Sequence, residues 1–173
     1  EKNKKFFSEK IIYLPHSYQP SEKDRVISEK KFTKQILNLP NDDFIFCCFN
    51  TINKILPNIL KLWAEILSHV PKSVLWLLSD NDDTKKNLKI EFEKKKIDPK
   101  RIIFGTKVPI TEHLKRIKFA DLFLDTFPYN AHTSCSDSIW AGLPILTLEG
   151  DSFQSRVASS LLKTTGLNEL ITK

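Results

Sequence analysis

Three short stretches of this sequence carry side chains that could bind an anionic ligand. The first contains Lys54, which follows the apolar run of residues 44–49 and precedes a helix beginning at Pro57. A lysine in such a loop can supply a point charge to a phosphate group. A solvated surface lysine is the simpler explanation in a chain as rich in lysine as this one, so the residue alone does not decide between them.

The second stretch is His132-Thr133-Ser134, at the predicted start of another helix. Unpaired N–H groups and the helix dipole attract anions at that position, and the hydroxyl groups add further donors. An ordinary N-cap with a spare histidine explains the same residues equally well. Asp137, about one turn further along, could accept hydrogen bonds from sugar hydroxyls or could simply compensate the helix dipole.

The third stretch contains His113 and Arg116, which are three residues apart and therefore share one face of a predicted helix. An imidazole at the edge of a sheet could stack on a nucleobase. A surface histidine explains this position more simply, and both interpretations stay open.

A regular alternation of strands and helices predicts how these stretches are positioned. Apolar runs predict strands at residues 44–49, 73–78, 101–105, 121–125 and 144–148. Helices are predicted to start at Pro57, Asp82, Thr111 and Thr133, and to span residues 152–163 and 167–172. This pattern predicts an α/β fold, a Rossmann-like parallel sheet with helices on both faces. In such sheets ligands bind beyond the carboxyl ends of the strands.

Composition and charge exclude several classes of function. The chain has 173 residues, enough for one domain, with 27 lysines and arginines against 21 acidic residues. Only four of the basic residues are arginines, and the lysines form solvated runs, so a nucleic-acid partner is not indicated. No apolar run approaches the ~18–20 residues of a membrane span. P-loop, dinucleotide and Ser-His-Asp signatures are also absent from the sequence.

Cysteine usage and the absence of methionine add two expectations. Of the three cysteines, Cys47 and Cys48 are adjacent, which suits neither a disulfide framework nor a zinc site. We therefore expect a reducing compartment and a cytoplasmic protein. Because the sequence contains no methionine, we expect it to be a piece of a longer protein.

A series of motifs runs in order through residues 11–173. It includes Phe49-Asn50, Lys54-Ile55-Leu56-Pro57 and Asn130-Ala131-His132-Thr133-Ser134, together with residues 70–78, 120–126, 137–144 and 155–160. In these motifs the chain resembles the C-terminal catalytic half of O-linked N-acetylglucosamine (O-GlcNAc) transferases and SPINDLY-like proteins, in their bacterial form.

The resemblance implies the donor-binding half of a GT-B glycosyltransferase. It implies transfer of N-acetylglucosamine from UDP-N-acetylglucosamine to Ser or Thr hydroxyls, without a metal or other cofactor. Lys54 would contact the diphosphate and assist its departure, His113 would stack on uracil, and Asp137 would bind the ribose. The remaining expected UDP contacts are Thr51, where animal members have glutamine, the backbone of Val108, the basic side chain of Arg116, and the phosphate-binding triplet His132, Thr133 and Ser134.

The resemblance also implies that parts of the enzyme lie outside this sequence. Residues 1–42 are expected to be an extension and connector, in which Tyr13-Leu14-Pro15-His16 resembles the tail of the N-terminal half, and residues 43–173 the nucleotide-sugar-binding domain. The N-terminal half and the tetratricopeptide repeats would bind the protein acceptor, so we expect the isolated chain to be inactive. A relative that uses another nucleotide sugar, such as GDP-fucose, and a non-catalytic interaction domain are the alternatives.

Overall fold

The computed structural model describes residues 4–173, and residues 1–3 of the expected extension lie outside the described part. Six parallel strands form one sheet: β1 (Phe44–Cys48), β2 (Ser73–Leu78), β3 (Ile102–Gly105), β4 (Leu122–Leu124), β5 (Ile145–Leu148) and β6 (Ile171–Thr172). Their spatial order is β3-β2-β1-β4-β5-β6. Strand order therefore reverses between β1 and β4, which is where a Rossmann-like sheet opens a ligand-binding crevice.

Five α-helices connect these strands. They are α1 (Pro57–His69), α2 (Asp82–Lys94), α3 (Ile110–Arg116), α4 (Thr133–Ala141) and α5 (Val157–Thr164). Helix α1 packs against α2, whereas α4 packs against both α3 and α5. Because parallel crossovers are right-handed, the two groups lie on opposite faces of the sheet. The predicted α/β fold with helices on both faces is confirmed.

The apolar runs of the sequence become the buried strands. Ile45, Leu75, Trp76 and Phe123 are fully buried in the central strands. Trp63 of α1 and Phe92 of α2 cover one face with side chains that are likewise buried. Strands buried on both faces need continuous rather than alternating apolar residues, which is why they could be recognised in the sequence.

Two predictions about the C-terminal third are wrong in detail. Residues 167–172 do not form a helix: a 3-10 turn at Asn168–Leu170 leads into β6, which pairs with β5 through Thr147 and Ile171. The predicted helix at 152–163 begins only at Val157. Before it, the Ser155 hydroxyl accepts a hydrogen bond from the Ser152 N–H at 3.0 Å, so these residues form a turn.

The predicted helix from Thr111 to Phe119 is also adjusted. Its N-cap is Pro109 rather than Thr111, its α-helical part starts at Ile110, and a 3-10 turn continues it from Ile117 to Phe119. Within residues 18–42 the structure has a hydrogen-bonded turn at residues 34–38 and no α-helix.

All three cysteines of the chain are free and buried. Burial raises the pKa of each thiol: Cys47 and Cys48 in β1, and Cys135 in α4. Within residues 4–173 no helix combines the length and the apolar character needed to cross a membrane.

Candidate functional site

The loops after β1 and β4 meet at the reversal of strand order and bring Lys54 to the start of α4. Lys54 ends a 3-10 turn, Ile52–Lys54, directly after β1. Its Nζ donates a hydrogen bond to the carbonyl oxygen of Asn130 at 2.9 Å and lies 3.9 Å from the ring centroid of Tyr129. Lys54 and the β4–α4 loop therefore share one wall of the crevice.

A pocket of about 340 Å³ opens beside this wall. Thr51 and Lys54 line it from the β1 side, and Tyr129 lines it from the β4 side. Partial burial lowers the pKa of Lys54, and the carboxylate of Asp125 counteracts that shift. A partly buried cation beside an open pocket is suited to bind an anion.

The loop between β4 and α4 is held by the buried side chain of Asp125. Its Oδ1 accepts hydrogen bonds from the N–H groups of Thr126 at 2.8 Å and Ala131 at 2.7 Å, and from the Asn50 side chain at 3.1 Å. Its Oδ2 accepts a bond from the Thr147 hydroxyl at 2.7 Å. Burial raises the pKa of Asp125 to about 6 although these bonds favour the charged form. Four donors fix the carboxylate and, with it, the path of the loop into α4.

Helix α4 begins as predicted, with His132 as the N-cap residue and Thr133 as its first residue. The N–H groups of Cys135 and Ser136 already bond to the carbonyl oxygen of His132. The N–H groups of the first two helical residues, Thr133 and Ser134, have no acceptor within a helix. They are thus the backbone donors available to an anion next to Lys54.

His132 is tied to two tyrosines. Its ring stacks on Tyr129 with 5.1 Å between centroids, and its Nδ1 lies 2.9 Å from the hydroxyl oxygen of Tyr18. Burial and the charge of Lys54 lower the pKa of His132, whereas the nearby backbone carbonyl of Gln154 raises it. The uncharged imidazole of His132 therefore connects Tyr18, in the N-terminal part of the chain, to the start of α4.

The residues expected at a base lie on α3 and in the loop before it, next to Phe49 at the carboxyl end of β1. His113 on α3 meets the ring of Phe49 edge-on at 5.1 Å. Burial, followed by the charges of Arg116 and Arg25, lowers the pKa of His113 to about 4. Val108 is half-buried in the loop between β3 and α3. The structure thus supplies a neutral, largely buried aromatic ring at this end.

Arg116 is buried next to His113 and is not open to solvent. Arg116 as a whole residue is 3% exposed, its Nε donates to Nδ1 of His113 at 3.4 Å, and its Cζ lies 6.0 Å from the ring centroid of Trp76. Among the described residues, Nη2 of Arg116 has no hydrogen-bond partner. In this position Arg116 contacts the predicted base-stacking residue.

Asp137 is buried in the second turn of α4 and pairs with Arg25. This arginine was not predicted from the sequence, nor were Tyr18, Tyr129 and the Asp125 network. Asp125 could have been found, because a carboxylate at the end of a buried strand needs partners. Arg25 and Tyr18 could not, since each contacts a residue more than a hundred positions away.

A larger groove, of about 920 Å³, lies between residues 11–18 and helix α5. Its described lining contains none of the predicted site residues. No group of three or more His, Cys, Asp or Glu side chains that could hold a metal occurs within residues 4–173. The candidate site is therefore the polar crevice between β1 and β4.

Comparison with known proteins identifies the family of this chain. The family model described as glycosyl transferase family 41 matches residues 21–173. A probable UDP-N-acetylglucosamine–peptide N-acetylglucosaminyltransferase, SEC from Arabidopsis thaliana, is 37% identical over 166 residues, which is 93% of this chain and 17% of that relative. The Caenorhabditis elegans UDP-N-acetylglucosamine–peptide N-acetylglucosaminyltransferase is 40% identical over 78% of this chain and 12% of its own length.

A solved structure agrees with these relatives. A mutant O-GlcNAc transferase from Thermobaculum terrenum matches with a TM-score of 0.85 and 27% identity. The match covers 100% of this chain and 32% of that structure. The chain therefore spans less than a fifth of those two relatives' length and about a third of the solved bacterial chain.

Proposed function

The chain belongs to glycosyl transferase family 41, and we propose that it is the donor-binding half of a protein O-GlcNAc transferase. In this proposal the crevice binds UDP-N-acetylglucosamine, and the sugar passes to a Ser or Thr hydroxyl. The acceptor and the rest of the catalytic machinery belong to the N-terminal half and the repeats, outside this sequence. The isolated chain then binds the donor without transferring the sugar.

The observation that carries the proposal is the contact between Lys54 and the loop that starts α4. The Nζ of Lys54 lies 2.9 Å from the carbonyl oxygen of Asn130, two residues before the N-cap of α4, where the first N–H groups have no acceptor within the helix. A diphosphate can bind both at once, because a helix N-terminus and a lysine are each suited to anionic oxygens. The Asp125 network supports this arrangement by fixing the loop between them.

In this proposal the residues of the crevice have separate tasks. When the acceptor oxygen forms its bond to the anomeric carbon, its proton passes to a base in the part of the enzyme outside this chain, the bond from that carbon to UDP breaks, and negative charge grows on the diphosphate. Lys54 and the N-terminus of α4 stabilise that charge. His113 supplies a flat uncharged surface for uracil, and the carboxylate of Asp137 accepts bonds from the ribose hydroxyls.

Titration calorimetry on this chain with UDP, GDP and UMP tests the proposal. We expect weak binding of UDP, since the other half of the cleft is absent, and weaker binding of GDP and UMP. Lys54→Ala and the matched control Lys61→Ala, at an exposed position, each remove one positive charge. Comparing their UDP affinities separates the effect of a charge at the site from the effect of the net charge of the chain. Folded chain that binds none of the three nucleotides at millimolar concentration refutes the proposal, and preference for GDP supports a GDP-sugar enzyme instead.

Metal independence is part of the same proposal. Lys54 and the dipole of helix α4 compensate the negative charge of the diphosphate in place of a divalent cation. We expect the UDP affinity to stay the same with EDTA and with added Mg²⁺ or Mn²⁺. An affinity that collapses with EDTA and returns with a divalent cation contradicts this part.

A further inference from the structure

Residues 16–30, here called the N-terminal segment, cross the start of helix α4. At one end the ring of Tyr18 meets Phe153, before α5, with 4.8 Å between centroids. In the middle, the hydroxyl oxygens of Ser21 and Ser136 lie 2.8 Å apart. At the other end, the N–H of Ser28 donates to the carbonyl oxygen of Thr111 in α3 at 3.1 Å. The segment thus packs along α4 and α3, the two helices that carry residues expected to bind the nucleotide.

Arg25 is the charged residue that this segment inserts into the site. Its Nη2 donates to Oδ1 of Asp137, and the two side chains are only 13% and 9% exposed. A hydrogen bond between ionised groups is among the stronger polar contacts in proteins, and removing one partner leaves a buried charge uncompensated. The pair joins residues 112 positions apart in the sequence.

The same guanidinium also acts on His113. Its charge contributes to the lowered pKa of that imidazole, after burial and the charge of Arg116. Arg25 therefore lies near both residues to which the proposed function gives the nucleoside, His113 for the base and Asp137 for the ribose. An arginine that only solvates the surface would keep its guanidinium in water, whereas the side chain of Arg25 is largely buried.

We propose that Arg25 is a positioning residue of the nucleoside-binding site, holding the carboxylate of Asp137 for the ribose hydroxyls. This inference rests on the proposed function. A carboxylate has two oxygens and about four acceptor positions. Arg25 binds Oδ1, which orients Oδ2 for the two adjacent hydroxyls of ribose. A carboxylate fixed before the ligand arrives loses less conformational freedom on binding, which favours affinity.

The competing interpretation is that Arg25 takes the place of the ligand. In that case the segment would have to leave before UDP could bind, and loss of the ion pair would strengthen binding. The two interpretations predict opposite signs for one substitution, so a single series of affinities decides between them.

The experiment compares UDP with 2′,3′-dideoxy-UDP, which lacks the hydroxyls that Asp137 would bind. Calorimetry is carried out on the wild-type chain, Arg25→Gln, Arg25→Lys and the control Lys23→Gln, which removes a charge from an exposed position of the same segment. Circular dichroism establishes that each variant is folded.

We expect Arg25→Gln to weaken UDP binding roughly tenfold, the scale of one hydrogen bond to a charged group. Binding of the dideoxy analogue should change little, so the preference for UDP over the analogue nearly disappears. Arg25→Lys should show a smaller selective loss, because the charge is kept without the fork of the guanidinium. Lys23→Gln should behave as wild type. Should Arg25→Gln fail to fold, the selective loss in Arg25→Lys decides the question.

Three results overturn the inference: unchanged UDP affinity in Arg25→Gln, stronger binding, or an equal loss for both ligands. An equal loss would mean that Arg25 maintains the fold or contacts the phosphates. If wild-type chain binds neither nucleotide, the proposed function fails and this inference with it. If wild type binds UDP and Arg25→Gln is unaffected, only the inference fails.

Discussion

The ammonium group of Lys54 lies over the ring of Tyr129, with 3.9 Å between Nζ and the ring centroid. The same ring also stacks on His132, with 5.1 Å between centroids. One aromatic side chain therefore contacts both the cation after β1 and the N-cap residue of α4.

Replacing Lys54 with alanine should slow sugar transfer by the enzyme that contains both halves. The interaction strengthens as charge grows on the departing diphosphate, so kcat falls, by ~10²–10³-fold for one preorganised group of this kind. Steady-state kinetics with varied UDP-N-acetylglucosamine measures the effect, and Lys61→Ala serves as control. A change confined to KM would show that Lys54 binds the donor equally in ground and transition states.

Replacing Asp137 with alanine should mainly raise KM for the donor. Ribose lies away from the reacting bond, so its contacts contribute the same binding energy before and during the reaction. Loss of a charged hydrogen bond corresponds to about 1.5–3 kcal/mol. The measurement is the same kinetic assay, accompanied by circular dichroism because Arg25 loses its partner. A large fall in kcat at unchanged KM would contradict this assignment.

The buried imidazole of His113 should make stability depend on pH in a defined window. Its pKa falls from 6.5 to about 4 on folding, so the unfolded chain binds more protons between these values. The free energy of unfolding should therefore rise as pH increases from 4 to 6.5. The rise should be smaller in His113→Phe, by on the order of 1–3 kcal/mol.

Urea titrations at several pH values measure this difference. His69→Gln is the control, since His69 lies exposed at the end of α1. Equal slopes of stability against pH in wild type and His113→Phe would show that folding does not lower the pKa of His113.

Substituting Asp125 with alanine should destabilise the fold and weaken UDP binding together. The change leaves four donors without their acceptor, among them the N–H groups of Thr126 and Ala131. Each buried donor left unsatisfied costs about 1–3 kcal/mol, although water can reach some of them. Thr147→Val, which removes only one of the donors, should have a smaller effect. Chemical unfolding and UDP calorimetry check both variants, and a fully stable Asp125→Ala chain would contradict the network's role.

Local sequence predicted the parts of the fold that local physics determines. The central strands are continuous apolar runs, and α1 and α4 begin where Pro57 and Thr133 indicate. Lys54 and the His132 triplet could be placed near each other because the carboxyl ends of neighbouring parallel strands lie at one edge. These predictions needed no knowledge of distant contacts.

The remaining features depend on contacts that the sequence does not encode locally. Strand β6 has two residues, and pairing with β5 rather than propensity makes it a strand. The delayed start of α5 follows from a turn closed by the Ser155 side chain. Arg25 and Asp137 are 112 positions apart, with α1, α2 and α3 between them in the sequence. No spacing rule relates two positions so far apart.

The burial of all three thiols has a practical consequence for spectroscopy. Thiolates are the reactive form, and raised pKa values together with burial keep Cys47, Cys48 and Cys135 as slow-reacting thiols in the folded chain. A cysteine introduced at the exposed position of Lys23 would thus react first with a maleimide dye. The Lys23→Cys chain can therefore carry a single fluorophore on the segment beside Arg25 without removal of the three native cysteines, and the emission of that dye would report whether the segment moves when nucleotide is added.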